Sequence, residues 1–190
     1  MNRIFETIVT VRGGDGITHV TPLGIKRQDG MVLLAPFKPS STLQRLLESR
    51  VAVVNYTDDV RVFAGCIVGQ RDWPLKPASR IDSMRLATCL SHEEIELAEV
   101  IDDVQRPQLR CRSVHVQSNA PFCGFNRAQA AVIEASILVS RLSMLPAGRL
   151  DAEMQYLQVA IDKTAGPAEL EAWSWLLQAI ADYRLQHPKR

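Results

Sequence analysis

The feature that most constrains this chain is a succession of short hairpins packed into its first third. Ile4 to Val11 carries Ile4, Thr7, Ile8, Val9, Thr10 and Val11, all β-branched and suited to a pleated surface. Gly13-Gly14-Asp15-Gly16 follows as a turn rich in residues that accept positive φ. Ile17 to Thr21 returns as a strand that Pro22 interrupts, which places it at an edge or a bulge. Leu23 to Lys26, a turn at Asp29-Gly30, and Met31 to Leu34 make a further hairpin. Hairpins this close together leave no room for crossover helices, so an antiparallel barrel is favoured over a doubly wound sheet.

Further along, a short helix is predicted from Thr42 to Ser49, and a strand covered on both faces from Val51 to Tyr56. Val60 to Val68 reads as part strand and part helical turn, after a turn at Asp58-Asp59. Ile81 to Leu90 reads as a short helix, and Ile95 to Val104 and Gln108 to Gln117 as strands. The character then changes. Arg127 to Leu145 is strongly helical, with Ala131, Val132, Ala135, Leu138, Val139 and Leu142 on one apolar face. Pro146-Ala147-Gly148 ends it, and helices from about Asp151 to Lys163 and from Pro167 to about Leu185 complete the chain. The expected organisation is α+β with a mainly β core: a barrel over residues 1–120 and a three-helix section over 121–190 packed on it as one structural unit.

The 190 residues carry a formal net charge of +1, with no run of Lys or Arg, so no nucleic-acid surface is predicted. No apolar run is long enough to span a bilayer. Cys66, Cys89, Cys111 and Cys123 fit no metal-ligand or redox spacing, and no metal site is predicted. The N-terminus has no apolar signal region, and a cytoplasmic protein with reduced thiols is expected.

Pro36-Phe37-Lys38-Pro39-Ser40-Ser41-Thr42 is the first candidate site. Ser40, Ser41 and Thr42 stand where a helix begins, and orphan N–H groups there make an anion site. Lys38 or Arg45 adds positive charge. The same residues serve equally as a plain N-cap; the binding alternative is a pocket for a mononucleotide phosphate. The second candidate is Thr18-His19-Val20-Thr21-Pro22-Leu23-Gly24, where a broken strand exposes N–H and C=O groups to a planar ring, or simply protects an edge. His19 is either a proton donor near that ring or an exposed histidine. Asn55, at the end of a buried run, faces a ligand or caps a turn. Arg127, just after the expected N-cap Asn126, opposes the helix dipole, so it pairs with a phosphate or a partner's carboxylate, or is a surface residue. Glu134, in a very apolar helix, must be paired or face solvent. No nucleophile elbow and no dinucleotide fingerprint is present, and the catalytic residues are not readable.

Taken together, Ile4 to Thr10, Asp15-Gly16, Thr21-Pro22-Leu23-Gly24, Pro36-Phe37 with Ser40 and Thr42, Val53-Val54-Asn55 with Asp58-Asp59, and Phe125-Asn126-Arg127-Ala128 with Ala131 to Ala135 resemble domain-of-unknown-function family 447. The resemblance implies a split β-barrel of the flavin-reductase, FMN-binding type, working as a homodimer. It implies FMN as cofactor, with its phosphate at Ser40, Ser41 and Thr42 and its ring along His19, Val20, Thr21 and Pro22. His19 and Thr21 depart from the family's usual Asn and Ala. Two functions follow: an oxidoreductase passing electrons from NAD(P)H to a small acceptor, pterin-related by association, or a non-catalytic flavin-binding or flavin-sensing module.

Overall fold

A computed structural model describes residues 3–187. The chain divides into two compact units, one of Met1–Thr57 with Asp72–Phe122 and one of Asp58–Arg71 with Cys123–Arg190.

The first unit is built on β1 (Ile4–Arg12), β2 (Thr18–Gln28), β3 (Met31–Leu34), β4 (Val51–Tyr56), β7 (Ser91–Ile101) and β8 (Gln108–Ser118). They close an antiparallel barrel in the order β1-β2-β3-β8-β7-β4. A separate ladder joins β5 (Leu75–Pro77) to β6 (Met84–Leu86). Alternate residues point inward, so Val9, Val11, Ile25, Val32, Leu34, Ala52, Val54, Ile95, Leu97, Leu109 and Cys111 form one core. The helix α1 (Ser41–Ser49) adds Leu43 and Leu46 to it.

The second unit is helical: α2 (Val60–Val68), α3 (Arg127–Val139), α4 (Ala147–Thr164) and α5 (Pro167–Gln186). Its core is apolar, with Val60, Ala64, Ala131, Val132, Ala135, Met154, Ile161, Trp173, Leu176 and Ile180 in contact. Polar groups serve the helix ends. Asn126 Oδ1 accepts from Ala128 N at 2.7 Å and Gln129 N at 3.3 Å. Glu169 accepts from Gly166 N at 2.9 Å, and from Gln129 Nε2 at 3.1 Å.

Several elements differ from the sequence expectation. β2 runs unbroken through Pro22, which sits opposite Ile8. The strand tolerates it because β3 covers only Ile25–Gln28, leaving the earlier half of β2 with a ladder on one side. Val60–Val68 is helical throughout: Asp59 caps it through Arg61 N, and Gly69 ends it at φ 96°. Residues 81–90 contain β6 and turns rather than a helix, because the backbone of Met84–Leu86 pairs with β5. β7 begins at Ser91, so four polar residues precede its apolar run. α3 stops at Val139, and α4 starts at Ala147, directly after Pro146. Among the described residues the section beyond Cys123 has three helices, and α1 and α2 bring the total to five. The hairpin at Asp29-Gly30 is as expected, with both residues at positive φ (52° and 74°) in a two-residue loop.

Candidate functional site

Everything at the first candidate site is built from the exit of β3. The chain leaves Leu34 and is held by the β7–β8 loop: Lys38 N donates to Gln105 O at 2.8 Å, and Arg106 Nε to Ala35 O at 2.8 Å. The Arg106 guanidinium also lies 4.6 Å from the Phe37 ring centroid. Ser40 then caps α1, its Oγ accepting from Leu43 N at 3.2 Å while its carbonyl accepts from Gln44 N. Ser41 and Thr42 occupy the first two helical positions, where N–H groups have no intrahelical acceptor. Ser41 is exposed and Thr42 buried. Lys38 is exposed and paired with Asp102 at 2.5 Å, which holds that carboxyl below its usual range.

Arg45 is occupied elsewhere. It grips Asp15 with two bonds of 2.9 and 3.0 Å and donates to Ile17 O at 3.1 Å. The bond to Arg45 pulls the Asp15 carboxyl down to about 2. Gly13 is required for this approach, since a Cβ there would lie 1.8 Å from Arg45 Nη1. The clamp ties α1 to the residue just before β2, so the helix start and the one-sided half of β2 belong to one local structure.

On that half, Thr18 to Leu23 pair with β1 alone among the described strands. His19, Thr21 and Pro22 are half-buried and Val20 is buried. The other side of this half carries no ladder to a described strand.

Asn55 is fully buried on the face of β4 that points away from the barrel core, since Ala52 and Val54 point into it. Its Nδ2 donates to Ile8 O at 3.0 Å and Thr10 Oγ1 at 3.1 Å, and its Oδ1 accepts from Leu86 N at 2.8 Å. It therefore ties β1 to β6 across β4. Arg127 is exposed on the helical unit, at the rim of a 620 Å³ cleft that also has Glu134, Tyr156 and Lys163. Glu134 faces solvent.

Sequence reasoning missed the polar start of β7. His92, Glu93 and Glu94 are 0% exposed, although three polar residues in a row read as surface. The signal was their register: Glu93 continues the inward alternation of Ile95 and Leu97. Glu93 accepts from Arg27 Nη2 at 2.5 Å and Tyr56 Oη at 2.6 Å. Burial pushes its carboxyl up, but the bonds from Arg27, Tyr56 and Ser113 outweigh this and hold it below the ordinary range. Burial and Glu93 raise the Tyr56 phenol in turn. Glu94 faces the other way and accepts from Ser79 N at 2.5 Å, Arg80 N at 2.8 Å and Ile81 N at 3.0 Å. Burial opposes ionisation there too, and these three N–H groups overcome it. Burial, then the Arg85 guanidinium, holds the His92 imidazole below its usual value.

Two family models cover most of the chain. The N-terminal domain model of the protein of unknown function DUF447 matches residues 5–120, and the companion DUF447 model matches residues 126–178. The chain belongs to the DUF447 family. An FMN-bound DUF447 protein from Methanosarcina mazei superposes with a TM-score of 0.81 over 94% of this chain and 96% of its own, at 18% identity. The 2-nitrobenzoate 2-nitroreductase of Pseudomonas fluorescens covers 63% of this chain and 66% of its own, with TM-score 0.53 and 20% identity. The NADH:FAD oxidoreductase of Streptomyces globisporus covers 60% and 75%, with TM-score 0.52 and 13% identity. At these identities the likeness is one of fold. A search of curated proteins finds no match to this DUF447 chain. Among its described residues, no helix is long and apolar enough to cross a membrane.

Proposed function

We propose that this DUF447 protein binds FMN in its barrel unit and acts as a flavin-dependent oxidoreductase, with the barrel a split barrel of the flavin-reductase type and the working form a homodimer. The observation that carries the reading is the coupling of a hydroxyl-capped helix start to a one-sided strand edge through the Arg45–Asp15 clamp. Support comes from the M. mazei family member, which is FMN-bound and matches nearly the whole chain. The NADH:FAD oxidoreductase and the nitroreductase support a redox role in the same fold.

In this reading the N–H groups of Ser41 and Thr42, with the hydroxyls of Ser40, Ser41 and Thr42, receive the FMN phosphate. Lys38 leaves its exposed pair with Asp102 to join them. The edge at His19, Val20, Thr21 and Pro22 presents backbone donors and acceptors to the ring. Asn55 acts from beneath, holding β1 in place. Arg127, exposed in the first turn of α3, stays a phosphate candidate on its charge and position alone. FMN supplies transfer of a hydride equivalent from NAD(P)H to a small acceptor, for which pterin-related compounds are the first to try; the chain supplies orientation.

The purified protein is expected to show a flavin absorption spectrum, and Ser40→Ala combined with Thr42→Ala to weaken FMN binding about tenfold or more. Unchanged affinity in a fluorescence titration rules out the phosphate assignment. Anaerobic bleaching by NADH or NADPH supports the oxidoreductase; a bound flavin that no nicotinamide reduces leaves a binding or sensing module. Light scattering at micromolar concentration tests the dimer.

A further inference from the structure

We propose that His92, Glu94 and His115 form a binding site for one divalent transition-metal ion, zinc by preference, on the face of the β7–β8 ladder opposite the barrel core. One ligand atom from each residue lies within 4.8 Å of the others. Glu94 and His115 are direct cross-strand partners, and His92 is two residues before Glu94 on the same face. His92 Nε2 and Glu94 Oε1 stand 3.5 Å apart, close to the spacing of neighbouring ligands around an ion with bonds of roughly 2.0–2.2 Å.

A second, independent observation points to a ligand. His92 is 0% exposed, yet its Nε2 makes no well-formed hydrogen bond, with Glu94 Oε1 at a long 3.5 Å. A buried polar atom without a partner is costly, and few native structures keep one without a reason. A metal ion between Nε2 and Glu94 supplies that reason. The surroundings suit it. The three N–H groups from Ser79, Arg80 and Ile81 fix the carboxylate plane, while Oε1 accepts only one of them and keeps a lone pair. His115 is half-buried, which gives an ion a way in and leaves a fourth position for water. Gln117 Oε1, 3.4 Å from His115 Nε2, steadies that ring from outside. Two imidazoles and a carboxylate, with no thiolate among the ligands, match zinc chemistry.

The site makes one demand. Asn119 Nδ2 lies 3.2 Å from His92 Nδ1 and also 3.3 Å from Cys89 O. For Nε2 to ligate, Nδ1 must carry the hydrogen, so the Asn119 amide turns to present its oxygen and gives up the bond to Cys89. Arg85 adds a further cost, as a cation facing His92. Metal binding then fastens the Ser79–Ile81 loop to the β7–β8 ladder.

The test uses the full-length, tag-free protein, stripped with a chelator and titrated with zinc sulfate by calorimetry. One zinc per chain is expected. His115→Ala, at a half-exposed position that should leave folding intact by circular dichroism, weakens binding by about a hundredfold. Asn119→Asp, which gives Nδ1–H a carboxylate acceptor, tightens it by about tenfold. Cobalt in place of zinc should give the visible bands of a four-coordinate centre, and His115→Ala should remove them. No stoichiometric binding by the stripped protein, or binding unchanged in His115→Ala, overturns the proposal.

Discussion

The two units of this protein solve the problem of polarity in opposite ways. The helical unit keeps its core largely apolar and places many of its polar bonds at helix ends, at Asn126, Thr164 and Glu169, with Trp173 to Gln158 an exception between helices. The barrel unit buries Asn55, His92, Glu93 and Glu94 at 0% exposure, on one face of its strands or the other, and sets partners around them from several strands and from the Ser79–Ile81 loop. Burial alone would drive these groups neutral or exclude them, so each stays only because particular neighbours are in place. The difference teaches where precision resides: the barrel depends on particular partners, the helices on volume and shape.

The hardest blow to that contrast should come from Glu94→Ala. Stranding three backbone N–H groups should cost the barrel about 4 kcal/mol, read by urea unfolding. Trp73 reports on the barrel and Trp173 and Trp175 on the helices, so single-tryptophan variants separate the units. Leu176→Ala, at a fully buried position among helices, should cost the helical unit about 3 kcal/mol as a cavity, and should leave the barrel's transition where it was. An equal loss in both units from either change would erase the distinction.

Acid should sharpen it. The Glu93 and Glu94 carboxyls lie below their unfolded value of 4.5, so their contribution is present above about pH 4.5 and is lost as pH falls through their folded values. His92 lies below 6.5, so the unfolded chain takes up a proton there before the folded one does. Barrel stability should therefore begin to decline below about pH 6.5, and more steeply below about 4.5. His92→Gln should remove the first step, as followed by Trp73 fluorescence across a pH series.

A smaller effect belongs to Asn126→Ala, which removes the cap of α3 and should cost the helical unit about 1 kcal/mol in the same urea assay. The smallest concerns reactivity. Burial raises the Cys111 thiol to about 12 and raises Cys89 as well, and Cys66 is buried, whereas Cys123 is exposed. One fast-reacting thiol is expected with a chromogenic disulfide reagent, and Cys123→Ser should abolish it without moving either unfolding transition.

What could be read from the sequence was what neighbours in the chain decide. The Asp29-Gly30 hairpin, the Asn126 cap and the helix start after Ser40 depend on two to four residues, and each stands as expected. The signals for α2 were also present, in Asp59 before it and Gly69 after it, but its β-branched residues argued the other way. What escaped was decided at a distance. Pro22 sits in an unbroken strand because β3, later in the chain, is short. Arg45 is claimed by Asp15, thirty residues earlier. Glu94 is buried because residues 79–81 fold over it. At the candidate site, the cap at Ser40 was legible, while Asn55's place as a brace between β1 and β6 needed the barrel to be closed first.

β3 has four residues, between strands of eleven each in β2 and β8. One stave of the barrel is thus much shorter than its neighbours, and how much of β2 it leaves without a second ladder is set by where the chain turns away after Leu34 rather than by any side chain. Carrying β3 two residues past Leu34 would extend its ladder onto Gly24 and Leu23, leaving the Asp29-Gly30 turn and the existing register as they are. The length of β2 that pairs on one side only is therefore a dimension that insertion and deletion after Leu34 can tune, independently of the side chains it carries.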